Sequence, residues 1–80
     1  MNDAEILDTL TGLLRDLIGD DAIVLHPATE RSDVPGWDSF AYINFIVGAE
    51  MAFGVKFNVA DVEAFANVGE IVAKIRALKG

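Results

Sequence analysis

Between residues 6 and 18, Ile6, Leu7, Leu10, Leu13, Leu14, Leu17 and Ile18 recur at offsets of one, four, seven, eight, eleven and twelve. This is the period of an α-helix, with one apolar stripe to bury and a polar face left for water. Asn2 stands where an N-cap belongs, and Glu5 follows three residues later as in a capping box. Gly19 fits a left-handed C-terminal cap. A chain of 80 residues has room for one small core, so the partners of this stripe must come from the rest of the same sequence.

Two further helices supply them. One is expected to begin at Asp38-Ser39, run to about Phe53 and stop at Gly54. Its apolar residues, Phe40, Tyr42, Ile43, Phe45, Ile46, Val47, Ala49, Met51, Ala52 and Phe53, cover more than one face, so at least one or two must stay exposed. The last helix starts at Asn67, with Glu70 three residues on, and is expected to bury Val68, Ile71, Val72, Ile75 and Leu78. Lys74, Arg76 and Lys79 lie toward its C-terminal end, where the helix dipole favours cations. A short helical turn is expected from Val59 to Phe65. The connection from Asp20 to Trp37 is long for a structureless link, and its apolar triplet Ile23-Val24-Leu25 is expected to pin it to the helices. No credible sheet emerges. The fold class is all-α, a four-helix bundle with three longer helices, one short one and a long first loop, in a single domain over residues 1–80.

Charge and composition exclude several functions. The net charge of −7 disfavours nucleic acid and anionic membranes as partners. Its source is the first half of the chain: residues 1–38 carry nine acids against Arg15 and Arg31, whereas residues 39–80 carry four acids and four bases. The longest apolar stretch, Phe40 to Ala49 with Asn44 inside it, is far short of a membrane span. The start Met1-Asn2-Asp3-Ala4-Glu5 is acidic where a secretory signal is basic, so a cytoplasmic location is expected. With no cysteine and His26 the only histidine, there is no thiolate nucleophile and no metal-ligand spacing. No pair of catalytic groups can be assembled. The chain reads as a carrier or binding module, not an enzyme, and His26 as an exposed loop residue.

The run Gly36-Trp37-Asp38-Ser39-Phe40 is where chemistry concentrates. Asp38-Ser39 suits a helix N-cap, whose function is to satisfy free backbone N–H groups. It equally suits a modified serine, because a helix N-terminus offers unpaired donors and a positive dipole end to a phosphate. The tripeptide alone does not separate the two.

The whole chain resembles the acyl carrier protein family, the phosphopantetheine-binding carriers, and within it a divergent stand-alone bacterial member. Asp38-Ser39-Phe40 stands at the place of that family's Asp-Ser-Leu signature, Phe53-Gly54-Val55-Lys56-Phe57 where the second helix ends, and Phe65-Ala66-Asn67-Val68-Gly69-Glu70-Ile71-Val72 matches the usual closing stretch. The resemblance implies that a phosphopantetheinyl transferase moves 4′-phosphopantetheine from coenzyme A to Ser39 in a Mg²⁺-dependent reaction, making the chain a phosphoprotein. The arm ends in a thiol that holds acyl groups as thioesters, for acyl-loading and acyl-processing enzymes of fatty-acid, polyketide or related secondary metabolism. Asp38 would support the serine. A peptidyl or aminoacyl carrier, and an unmodified helical interaction module, remain as alternatives.

The sequence departs from the family along the second helix. Fatty-acid carriers place a row of acids there, whereas this chain has Ala41, Asn44, Met51 and Ala52, with Glu50 as the one acid. Partner recognition is therefore expected to be more apolar, through some of Trp37, Phe40, Tyr42, Val47 and Met51, although several of these suit the core as well. Trp37 reads as an anchor of the loop on the bundle. Gly48, beside Ala49 and Ala52, suits close helix packing, or else space for an acyl chain.

Overall fold

A computed structural model describes residues 2–79. Four α-helices follow in order: α1 (Asp3–Ile18), α2 (Ser39–Phe53), α3 (Val59–Ala64) and α4 (Val68–Lys79), with a 3₁₀ turn at Arg31–Asp33 in the loop after α1. No strand occurs among the described residues. The all-α bundle expected from the apolar periodicity is the fold observed, and the second helix has the boundaries read from the sequence.

The caps explain the boundaries. Asn2 accepts from the Glu5 N–H at 2.9 Å while Glu5 Oε1 accepts from the Asn2 N–H at 3.1 Å, a complete capping box on α1. Asn58 and Asp61 repeat that arrangement on α3. Gly19 and Gly54 are both left-handed and close α1 and α2. The third helix ends one residue earlier than expected, because Phe65 takes an extended backbone and turns its ring edge-on to Phe57 at 5.5 Å.

Helix α1 packs against both α2 and α4. The core between them holds Ile6, Leu10, Leu14, Phe45, Ile46, Ala49, Phe53, Val68, Ile71, Val72 and Ile75. Leu78 is 44% exposed, contrary to expectation: it sits in the last turn of α4, beyond the reach of the core. At the other interface, a methyl on Gly48 would stand 3.4 Å from Leu13 Cδ2. Gly48 thus lies where α1 crosses α2 closely, which is the packing role.

The long loop is fixed at several points. Arg15 Nε donates to the Ile23 carbonyl at 2.7 Å, and Ile23 and Leu25 enter the core. Val24 points outward, so two of the three triplet residues pin the loop, with the alternation of extended backbone. Farther on, the N–H groups of Val68 and Gly69 donate to the Thr29 and Pro27 carbonyls at 2.9 and 2.7 Å. The loop therefore supplies acceptors for the first turn of α4, whose donors have no partner within the helix.

Candidate functional site

The segment leading into α2 is a built turn. The Trp37 N–H donates to the Val34 carbonyl at 3.1 Å across Pro35-Gly36, and Gly36 has φ +87°. Proline at the second position and a left-handed glycine at the third are the residues a type II turn requires. A side chain on Gly36 would be strained, and its Cβ would lie 3.2 Å from Ile18 Cγ2. The turn hands the chain to Trp37 pointing in and Asp38-Ser39 pointing out.

Asp38 is the N-cap of α2, its Oδ1 accepting from the Ala41 N–H at 2.8 Å. Ser39 is the first helical residue and its side chain is exposed. The backbone N–H groups of Ser39 and Phe40 make no hydrogen bond among the described residues. The hydroxyl thus projects from the positive end of a helix, beside two donors free to meet an anion.

Beside Ser39 lies an open groove of about 760 Å³, walled by the loop (Thr29 to Ser32), by Trp37 and Tyr42, and by the α3–α4 corner with Val62, Phe65 and Asn67. Tyr42 spans it: its hydroxyl donates to the Val62 carbonyl at 2.7 Å, tying α2 to α3. The Arg31 guanidinium lies 5.2 Å from the centre of the Tyr42 ring. Burial raises the Tyr42 phenol above its ordinary pKa, and the Arg31 charge opposes part of that rise.

Trp37 forms the inner wall. It is 5% exposed and meets Phe45 edge-on at 5.2 Å and Tyr42 at 6.2 Å. This is the loop anchor read from the sequence. Its Nε1 is buried without a hydrogen-bond partner among the described residues. Leaving such a donor unpaired costs about 1–3 kcal/mol.

The residues present fit a phosphodiester on Ser39. The free N–H groups of Ser39 and Phe40 could hold its oxygens. Arg31, the base on the groove wall, forms no salt bridge among the described residues and could offset its charge. The groove could receive an arm extending from it. No cluster of metal-ligating side chains occurs among the described residues.

Two of the five residues read as a partner surface lie elsewhere. Trp37 is in the core because the turn swings it inward, and Tyr42 is half-buried with its hydroxyl engaged. Phe40, Val47 and Met51 are exposed, at 79%, 47% and 80%. Ile43, at 53%, joins them and was missed in the sequence reading. The signal was there: 40, 43, 47 and 51 are spaced three, four and four apart, one helical stripe opposite the buried Phe45, Ile46, Ala49 and Phe53. Arg31, Val62 and Asn67 carried no such signal, since the tertiary fold brings them to the groove. His26 is exposed in its loop, as expected.

The family described as phosphopantetheine attachment site matches residues 8–75. Among solved structures, the solution NMR structure of a holo acyl carrier protein from Geobacter metallireducens superimposes with a TM-score of 0.83. It is 33% identical, over 91% of this chain and 84% of that one. No curated protein is significantly similar in sequence.

Proposed function

The chain belongs to the phosphopantetheine-attachment family of carrier proteins, and from that premise we propose that Ser39 is its attachment serine and that residues 1–80 act as one acyl carrier domain. The family's members are non-catalytic carriers with a covalently attached 4′-phosphopantetheine. When bound, that group supplies a thiol on which acyl chains are held as thioesters. A cysteine-free chain thereby gains sulfur chemistry.

The observation that carries the assignment is the position of Ser39: exposed, first in α2, beside two N–H groups that make no hydrogen bond among the described residues, and lining the groove. Asp38 supports it by fixing the first turn through Ala41. The serine does no chemistry after loading; it is an anchor. A phosphopantetheinyl transferase and acyl-handling enzymes are the partners such a carrier needs. We read the cargo as acyl intermediates of fatty-acid, polyketide or related secondary metabolism, handled in the cytoplasm. Among the described residues, no helix is long and apolar enough to cross a membrane.

For docking, we read the exposed stripe of Phe40, Ile43, Val47 and Met51 as the partner face. Glu50, the one acid of α2, is already bound to the Phe57 N–H at 2.8 Å. Little charge is therefore left on this helix for a partner to recognise.

The decisive experiment is intact mass after incubation with coenzyme A, Mg²⁺ and a broad-specificity phosphopantetheinyl transferase. The wild type is expected to gain one phosphopantetheine and Ser39→Ala none, with both remaining folded because Ser39 is outside the core. A mass gain on Ser39→Ala would move the attachment elsewhere. No gain on the wild type, with a control carrier modified, would leave an interaction module that keeps the fold.

A further inference from the structure

Arg31 is the base among the side chains that line the groove, where Glu30, Asp38 and Glu63 are the acids. It is exposed and forms no salt bridge among the described residues. Its place is nevertheless fixed from both ends. The backbone from Glu30 to Trp37 is a series of short turns: the Asp33 N–H donates to the Glu30 carbonyl at 2.9 Å, the Val34 N–H to the Arg31 carbonyl at 3.3 Å and the Trp37 N–H to the Val34 carbonyl at 3.1 Å. Asp38 then caps α2. At the tip of the side chain, the guanidinium lies over the Tyr42 ring, 5.2 Å from its centre, and the hydroxyl of that ring is held by the Val62 carbonyl. Tyr42 follows Ser39 by three residues in α2, so the two side chains are neighbours on one helix face. A guanidinium with no carboxylate partner therefore stands over the residue next to the attachment serine.

We propose that Arg31 binds the phosphodiester of the arm on Ser39 and so starts the arm along the groove instead of into solvent. The inference rests on the carrier reading above and adds to it the residue that orients the loaded arm. A phosphodiester brings a negative charge to a wall that already carries three carboxylates, Glu30, Asp38 and Glu63. Without Arg31 the wall repels that charge. With it, a planar guanidinium can meet two phosphate oxygens at once. Arg31 is exposed, so the pair is expected to weaken as salt rises.

The chain has three arginines, Arg15, Arg31 and Arg76. In ¹⁵N-labelled protein each gives its own Nε–H signal, and Arg31→Lys identifies the Arg31 signal by its loss. Spectra are compared before and after loading, with intact mass verifying the arm. At ~0.05 M NaCl the Arg31 signal is expected to shift on loading, and at ~0.5 M most of that shift is expected to disappear. The signals of Arg15 and Arg76, held by the Ile23 carbonyl and Asp3, are expected to stay in place. An Arg31 signal unmoved in a loaded protein overturns this proposal and leaves the carrier reading intact. No mass gain on the wild type overturns both.

Orientation is read on the arm itself. With ¹⁵N in the pantetheine amides, the heteronuclear NOE of the amide nearer the phosphate is expected to show less motion on the wild type than on Arg31→Gln. Arg31→Lys, which keeps the charge but not the planar fork, is expected to fall between them. Equal motion on all three proteins overturns the proposal even if the arginine signal moves. The apo variants are expected to melt with the wild type, because Arg31 lies outside the core. If Arg31→Gln resists loading, the wild-type shift and its salt response decide alone.

Discussion

Two glycines in helices behave oppositely, and only their surroundings tell them apart. A methyl on Gly69 would meet the Pro27 carbonyl oxygen at 2.8 Å, the same atom that accepts from the Gly69 N–H at 2.7 Å. Backbone stands on both sides of that contact, so neither can yield without parting the loop from α4. Gly69→Ala is expected to destabilise by about 1–3 kcal/mol, the usual result of overpacking. Gly12 has nothing within 4 Å of such a methyl and lies within α1. Gly12→Ala is expected to stabilise by about 0.5–1 kcal/mol, because alanine is the better helix former. Urea unfolding of the pair checks the opposite signs. Both residues read simply as helix glycines in the sequence, since the Pro27 oxygen is 42 positions away from Gly69.

At the scale of the element, α2 is unlike the other two long helices. It is apolar on both sides, one facing Leu10 and Leu14 of α1 through the core and one facing solvent as Phe40, Ile43, Val47 and Met51. Packing alone does not require the second face. An enzyme that recognises acidic carriers should find little to hold on this helix. A generic fatty-acid transferase is therefore expected to use the holo protein at least ~10-fold less efficiently than its own carrier, a difference of about 1.4 kcal/mol. Asn44→Glu with Val47→Glu, both at exposed positions, is expected to recover part of that efficiency. Steady-state kcat/KM on the two holo proteins makes the comparison. Normal efficiency on the wild type would remove the case for apolar docking. The length of α2 was legible from Asp38 to Gly54, and so was the excess of apolar residues. The spacing of 40, 43, 47 and 51 marks one stripe as well; that this stripe is the outward one was decided by the packing of Phe45 and Ala49 in the core.

For the whole molecule, thirteen acids face six bases, and only two salt bridges form among the described residues, Lys74–Asp61 and Arg76–Asp3. The second joins the start of α1 to the end of α4, but both side chains are more than half exposed, so it adds little. Self-repulsion among the acids of residues 1–38 therefore outweighs attraction. Raising NaCl from about 0.05 M to about 0.5 M is expected to raise the thermal midpoint by screening that repulsion. A fall in the midpoint would mean that the ion pairs dominate after all. The imbalance was fully visible in the sequence, because charge is a property of composition. The pairing was not, since Asp3 and Arg76 meet only when the bundle closes.

The sequence by itself determined what is local in physics. Helical period, the Asn2–Glu5 cap, the Asp38 cap and the glycine stops depend on residues within a turn or two of one another. They place Ser39 at the start of α2. Tertiary structure alone decided the groove beside it. The Tyr42–Val62 hydrogen bond and the hold of Pro27 and Thr29 on α4 join segments far apart in the chain. Backbone groups take part in most of these contacts, and every residue carries the same backbone. Side-chain patterns therefore could not announce them.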